Sequence, residues 1–390
     1  MGPMKTRTIL EGCTRALVPV VPDDRQLSIS SASVFYNPEM ELNRDISVAS
    51  FAAFSEVLAS RRHLDLSEIT YVDALSASGI RGLRIAKEVG LNVTLNDWSE
   101  EAYNLIRENT ELNELMGKVR TCLGNANVLL HKERYNIVDI DPFGSPTTYL
   151  GAASGSAINM LAVTATDTAP LCGAHLNSGI RKYGAVPLNI EYHSEMGVRI
   201  LLGTIARDLA RHEKAMLPML CHATRHYARA YLELEKSAKK TDKSLKNMGF
   251  IAHCTSCMGR SVHYGLAVHI PEKCEICGNS THIAGPLWLG PLHDKDFCDA
   301  VLIQLAQREL GKKEHAMKII ELCRNELDIP TFYDHHLLSK KLGISAIPME
   351  ELLKELTAQG FKASRTHFSG TSFKTNANIE GILDTLRRFR

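Results

Sequence analysis

Tyr71-Val72-Asp73-Ala74-Leu75-Ser76-Ala77-Ser78-Gly79-Ile80-Arg81-Gly82 runs from strand-forming residues through a loop of small side chains into the start of a helix. The strand is read over Ile69 to Ala74, and Ser78-Gly79 opens a helix that continues to about Val89. Small side chains let a ligand approach the backbone, and a helix N-terminus favours negative charge. The glycine-rich dinucleotide fingerprint is absent, because Ala77 and Ser78 stand where glycine would be expected. By itself the segment fits a tight strand-to-helix turn packed on a sheet equally well. Repetition settles the fold class. Further strands are read at Val93–Asn96, Val119–Leu123, Asn136–Ile140 and Ile158–Ala165, with helices between them, one capped by Ser99 and starting at Glu100. Strand alternating with helix predicts an α/β fold with a doubly wound parallel sheet, whose ligands bind beyond the carboxyl ends of the strands.

Those strand ends carry chemistry. The second ends Asn96-Asp97-Trp98, and Asp97 lies 24 positions after Asp73, a spacing suited to a carboxylate that accepts both hydroxyls of a ribose. The third ends Gly124-Asn125-Ala126-Asn127, where an adenine edge could be read. The fourth runs into Asp139-Ile140-Asp141-Pro142-Phe143-Gly144-Ser145-Pro146. A carboxylate, a stiffening proline and an aromatic at a strand end suit methylation of an exocyclic amino group on a flat heterocycle. The carboxylate accepts the amino N–H and the aromatic stacks on the ring. Asp141 is read as that carboxylate, and Asp139, two residues earlier on the same strand face, as structural. The strand ends occur in the order a class I S-adenosylmethionine-dependent (Rossmann-like) methyltransferase requires.

The chain also resembles a known family. Phe35-Tyr36-Asn37-Pro38, Asn43-Arg44-Asp45, the segment 73–82, Asn96-Asp97, the segment 141–146, Thr164-Ala165-Thr166-Asp167 and Pro170-Leu171-Cys172-Gly173-Ala174-His175 are similar to motifs of the tRNA (guanine(26)-N2)-dimethyltransferases in their compact archaeal form. The resemblance runs from about residue 5 to the C-terminus. It implies that Arg44, Arg81 and Asp97 contact S-adenosylmethionine and that Asn125 and Ala126 lie near its adenine; Asp73 and Ser76 of the first strand end are further candidate cofactor contacts. It implies a catalytic group of Asp141, Pro142 and Phe143, with Phe35 and Phe143 sandwiching the guanine. The family usually has Asp where Asn125 stands, and an amide offers a different donor and acceptor pattern. The dimethyl product is implied by the resemblance alone.

Cys254-x2-Cys257 and Cys274-x2-Cys277 are separated by sixteen residues, the spacing of a four-cysteine zinc ribbon. With only thiolate ligands the site should be closed and structural. His253, His263 and His282 are spare ligands nearby. A zinc-deaminase reading fails because no His-x-Glu accompanies the cysteines. The other six cysteines are scattered singly and read as small core residues.

The net charge of +1 means that nucleic-acid binding must come from local basic faces. A helix is read over residues 45–62 and a long one from roughly Ile190 to Met216, followed by extended chain over 217–235. Arg225, Tyr227, Arg229 and Tyr231 share one face of that stretch and suit phosphates or bases, or the outer face of a sheet edge. The lysine-rich stretch Ser237–Lys246 suits a linker or exposed lobe that touches phosphates or simply faces solvent. Two helices at Asp334–Leu342 and Met349–Gln359, then a hairpin over Phe361–His367 and Thr371–Thr375, suggest a winged-helix-like unit. Lys340, Lys341, Lys362, Arg365 and Lys374 make it basic, suited to tRNA or to a protein partner. The expected domains are a methyltransferase domain at 1–245, a zinc-binding segment at 246–292, and a C-terminal tRNA-binding domain at 293–390.

No apolar run is long enough to span a membrane, and no signal peptide is visible, so a cytoplasmic enzyme with tRNA as partner and no obligate protein partner is expected. Methyltransferases acting on other bases, ribosomal guanine or a protein glutamine usually carry Asn or Asp followed by Pro-Pro-aromatic. Here Pro142 is followed directly by Phe143, which favours the guanine reading. A non-catalytic RNA-binding protein with a degenerate core is the third reading, and the intact Asp97 and Asp141 speak against it.

Overall fold

The structure, a computed structural model, describes residues 4–20, 34–224 and 226–389 of the 390-residue chain. An N-terminal hairpin, β1 (Thr6–Glu11) and β2 (Thr14–Pro19), precedes the long helix α1 (Glu41–Arg62). The alternating region follows as β3 (Thr70–Asp73), α2 (Ile80–Arg84), β4 (Asn92–Asp97), α3 (Glu100–Leu112), β5 (Val119–Leu123), α4 (Ala126–Lys132), β6 (Tyr135–Ile140), α5 (Thr147–Ser156) and β7 (Ala157–Ala165). Helix α2 runs on into a wider turn over Ile85–Val89. Ser99 caps α3 as expected, its side chain accepting from the Ala102 N–H. Next come α6 (Thr168–Leu171), α7 (Leu176–Tyr183), α8 (His193–Ala210), β8 (Lys214–Ala223), β9 (Ala228–Lys236) and α9 (Ala238–Leu245).

The central sheet has seven strands in the order β5-β4-β3-β6-β7-β9-β8. Strands β3 to β7 are parallel, and β9 lies antiparallel between β7 and β8, so the sheet is mixed rather than wholly parallel. The expected helix to Met216 ends earlier. Chain reversal at Arg211–Glu213, with Glu213 at φ 55°, starts β8 at Lys214. Lys214, Ala215 and Met216 are good helix formers, but pairing with β9 overrides that local preference.

The period-two face of β9 also turns out differently. Tyr227, Arg229 and Tyr231 are buried, and Tyr231 packs edge-on to Phe51 of α1 at 5.6 Å between ring centroids. The face is covered by α1, so Tyr227 and Arg229 are not surface for a phosphate. Arg225 lies outside the described residues.

The chain continues as β10 (Met248–His253), β11 (Arg260–Tyr264), β12 (His282–Trp288), α10 (Lys295–Gln307) and α11 (Lys313–Asn325). The small sheet β11-β10-β12 shares the main core through Met248, Ile251, Ala284, Leu287 and Trp288. Phe297, Val301 and Ile320 of α10 and α11 join Ile46 and Phe51 of α1 in a second cluster. These helices therefore belong to the body, which corrects the expected boundary at 293. The last unit contains β13 (Tyr333–Asp334), α12 (His335–Leu342), α13 (Met349–Ala358), β14 (Ala363–Arg365), β15 (Ser372–Thr375) and α14 (Ile379–Arg387). It has winged-helix order and its own core of Leu338, Leu352, Leu356, Phe373, Ile382 and Leu386. No helix among the described residues is long and apolar enough to cross a membrane.

One buried ion pair ties the sheet together where the parallel and antiparallel parts meet. Arg229 of β9 reaches across β7 to Asp139 of β6 and donates to both carboxylate oxygens, at 2.6 and 2.9 Å. It also donates to Thr164 of β7 at 2.9 Å, while Tyr71 of β3 donates to Asp139 at 2.9 Å. Arg229→Met should cost about 3–5 kcal/mol by stranding the Asp139 carboxylate. Asp139→Leu combined with Arg229→Met should recover at least half of that loss, because an apolar pair avoids the desolvation of both charges. Urea unfolding of the three proteins decides it: a single variant as stable as wild type would mean the pair does not hold the strands.

Candidate active site and metal centre

The carboxyl ends of β3, β4 and β6 open into a cavity of about 610 Å³. It is lined by Phe35, Arg44, Asp73, Ser76, Arg81, Asp97, Asp141, Pro142 and Phe143, so most residues singled out in the sequence meet at one site. The β3–α2 loop is shaped by hydrogen bonds rather than glycines. Asp97 accepts from the Ala77 N–H at 2.9 Å and from the Ser99 N–H at 3.0 Å. The first of these bonds holds Ala77 in the left-handed region at φ 47°, a conformation glycine would take without help. The Ser76 hydroxyl donates to the Asp73 carbonyl and accepts from the Asn96 N–H, joining the ends of β3 and β4.

Arg81 stands between the two carboxylates of β6. It pairs with Asp141 through Nη2, lies 3.9 Å from Asp139 through Nε, and donates to the Ser47 hydroxyl at 2.7 Å through Nη1. Burial pushes the Asp141 carboxyl up, but Arg81, Arg229 and a hydrogen bond from Thr164 outweigh it and hold Asp141 below the usual carboxylate range. Asp73 behaves oppositely. Burial, reinforced by the charge on Asp139, pushes it up to about 8. The site therefore holds one half-buried carboxylate ready to accept hydrogen bonds and another, fully buried, that is protonated near neutral pH.

The loop after Asp141 is pinned from β7. The Gly144 N–H donates to the Thr166 hydroxyl at 2.7 Å, and the Thr166 N–H donates to the Gly144 carbonyl at 3.0 Å. Gly144 sits at φ 98°, where a side chain would be strained. The loop holds Phe143 out at the rim, where it is 73% exposed. Its ring meets Phe35 edge to face, with centroids 5.6 Å apart. A base sandwiched between two rings needs them about 7 Å apart, twice a van der Waals contact, so the pair must part to admit one.

Arg44 is already paired: Glu11 of β1 accepts from its Nε at 2.7 Å and from its Nη2 at 2.6 Å. Glu11 was not visible as a site residue because the N-terminal hairpin carries no motif. Tyr36, Trp98, Tyr149 and His226 also line the cavity without having been singled out for it. Trp98 is 81% exposed, an apolar signal that directly follows Asp97. Asn125 and Ala126 fall outside the cavity lining. The Asn125 side chain instead caps α4, accepting from the Asn127 and Val128 N–H groups.

The four cysteines gather at the tips of the small sheet. Sγ of Cys254 lies 3.5 Å from that of Cys277, and Cys257 lies 3.5 Å from Cys274. All four sulfur atoms fall within 4.8 Å of one another, and none of the neighbouring histidines joins them. A side chain at Gly259 would meet Cys257 Sγ at 3.0 Å and Ile276 at 2.9 Å, so the first knuckle needs glycine for space. A tetrahedral zinc with Zn–S near 2.3 Å spaces its sulfurs by about 3.8 Å, which these thiols match closely.

Of the expected RNA contacts on the winged unit, Lys340 is exposed and Lys341 is exposed but donates to the Ser256 carbonyl of the cysteine knuckle. Arg365 is half-buried and pairs with Glu350 at 2.6 Å. Lys374 is fully inside, held by Glu195 at 3.1 Å and Glu326 at 2.7 Å.

A family model described as N2,N2-dimethylguanosine tRNA methyltransferase matches residues 16–387. A Methanosarcina mazei protein named tRNA (guanine(26)-N(2))-dimethyltransferase is 60% identical over 379 residues, covering 97% of this chain and 98% of that protein. A relative of the same name from Haloarcula marismortui is 43% identical over 374 residues, covering 96% and 98%. The solved structure of Trm1 from Pyrococcus horikoshii in complex with S-adenosyl-L-methionine superposes with a TM-score of 0.85 at 36% identity, covering 97% of this chain and 99% of that one.

The pinned loop offers a direct measurement. Thr166→Val keeps the shape but removes the acceptor for the Gly144 N–H, a bond worth about 1 kcal/mol. Hydrogen exchange at Gly144 should quicken by roughly fivefold in that variant, while exchange in β6 stays unchanged. Equal exchange in the two proteins would show that Thr166 does not hold the loop.

Proposed function

The chain belongs to the N2,N2-dimethylguanosine tRNA methyltransferase family, and from that we propose that it methylates the exocyclic N2 amino group of guanine 26 in tRNA, with Asp141 as the accepting carboxylate. It is an S-adenosylmethionine-dependent methyltransferase with tRNA as its substrate. The cavity suits such a cofactor. Asp97 can accept from ribose hydroxyls with its remaining lone pairs, Arg44 and Arg81 suit a carboxylate, and Asp73 with Ser76 suits a cationic end. Asn125 and Ala126 flank the adenine side only if the ligand reaches past the cavity to the end of β5. When bound, S-adenosylmethionine supplies a methyl group already activated on a sulfonium.

The observation that carries the reading is the state of Asp141. It is a half-buried carboxylate held ionised by Arg81, Arg229 and Thr164, in the same cavity as Asp97. The guanine amino lone pair is delocalised into its ring. Asp141 accepting one N–H would localise that pair and stabilise the positive charge that develops on nitrogen. One N–H remains after a first methylation, so Asp141 can hold the monomethyl product for a second. Pro142 stiffens the turn, and Phe143 with Phe35 would part to stack the extracted base. The four-cysteine centre is read as a closed structural zinc site. Its knuckle meets α12 through Lys341, so the zinc segment and the winged unit form one candidate surface for the tRNA body, with Lys340 exposed on it.

Incubating tRNA with S-adenosylmethionine and either wild type or Asp141→Ala, then analysing nucleosides by mass, tests the reading. Wild type should yield dimethylguanosine, and the variant should be slower by roughly 100-fold or more. Only monomethylguanosine would sink the dimethyl product, and an unimpaired variant would sink the role of Asp141. A second test follows from Asp73. Below about pH 8 it is neutral, and above that it becomes a carboxylate that attracts a cationic ligand. The ratio of wild-type to Asp73→Asn affinity for S-adenosylmethionine should therefore rise by up to roughly tenfold between pH 7 and pH 9. A flat ratio would remove Asp73 from the site.

A further inference from the structure

A second cluster of metal-ligating side chains, sharing no residue with the cysteine knuckles, lies where the winged unit meets the body. His293 precedes α10, Cys323 lies in α11, and His367 belongs to the loop between β14 and β15. One donor atom from each falls within 4.8 Å of the others, the same limit that encloses the four cysteines. His293 is buried, and neither of its ring nitrogens has a hydrogen-bond partner among the described residues. The His367 side chain is fully buried, its Nδ1 lies 2.8 Å from Glu326, and its Nε2 has no partner among the described residues. His222, close enough to interact electrostatically with both histidines, is fully buried with both ring nitrogens equally unpartnered.

Buried polar atoms are normally satisfied, and each one left without a partner costs about 1–3 kcal/mol. Five such imidazole nitrogens at one junction call for a ligand. The arrangement has the chemistry of a metal site. Two imidazoles and a thiol match a borderline cation, and the carboxylate on His367 Nδ1 is the outer partner that fixes a ligating ring and leaves Nε2 toward the metal. Water is a weaker candidate, since it would place a sulfur among its contacts. Donors around a tetrahedral zinc stand about 3.3–3.8 Å apart, so binding requires the three side chains to draw in by at most about 1.5 Å.

We propose that His293, Cys323 and His367 form a second metal site that binds a zinc-class divalent cation and fastens the wing loop to the body. The three ligands come from three separate segments, so metal affinity becomes docking energy for the C-terminal unit. The neighbouring contacts already favour that docking. Phe368 stacks on Phe332 at 5.5 Å between centroids, and Lys374 bridges Glu195 of α8 to Glu326. Three protein ligands leave the fourth position to water.

The test is zinc counting by native mass spectrometry on the full chain, dialysed against ZnCl2 and passed through gel filtration. Wild type should carry two zinc ions and His293→Gln one. Cys323→Ala, which should also carry one, serves if His293→Gln does not fold. Two ions in the variants would overturn the proposal, because the second ion would then lie elsewhere. One ion in wild type and one in the variants would also overturn it, with that ion in the cysteine knuckles. One in wild type and none in the variants would uphold this site and refute the four-cysteine zinc, so the two readings fail separately.

Discussion

The bidentate pair between Arg229 and Asp139 is the constraint from which the site is built. It lies fully inside the sheet and crosses from β9 over β7 to β6. A buried pair of this kind adds little net stability against an apolar replacement, since both charges are taken out of water. What it supplies is position. With Asp139 fixed, the chain leaves β6 in a set direction, and Asp141, two residues on and on the same side, emerges at the cavity floor. Arg81 then spans both carboxylates and brings the β3–α2 loop to the same point. The positive charge gathered there keeps Asp141 ionised although it is partly withdrawn from water.

The sheet was legible because its signal is local. Each parallel strand is followed by a helix, and three carboxylates stand at or just past the ends of β3, β4 and β6. Asp73, Asp97 and Asp141 could be found from that pattern alone. The antiparallel addition was not legible in the same way. Lys214, Ala215 and Met216 favour helix, and only pairing to β9 makes them strand. Of the alternation Arg225-x-Tyr227-x-Arg229-x-Tyr231, the last three are buried together, since a period of two says nothing about which side faces water. Arg229 there serves a buried carboxylate ninety residues away in sequence.

The same limit explains the N-terminal hairpin and the C-terminal boundary. Glu11 neutralises Arg44 through a contact that no spacing rule predicts. Helices α10 and α11 follow the cysteine segment in sequence yet complete the core around α1. Lys374 looked like part of a basic wing because the sequence counts charge and not burial. In the fold it is an internal cation between Glu195 and Glu326.

The electrostatic layout of the cavity has a further consequence. In the proposed reading, Arg81 is shared between the end of the cavity where a cofactor carboxylate would sit and the end where Asp141 would face the base. An anion drawn to Arg81 from the cofactor side competes with Asp141 for the same guanidinium. To the extent that Arg81 turns toward that anion, Asp141 loses one donor and regains acceptor capacity for an amino N–H. Arg229 and Thr164 remain to keep it ionised. On the proposed reading, filling one end of the cavity would free the accepting group at the other, so a cofactor would bind before the base is engaged.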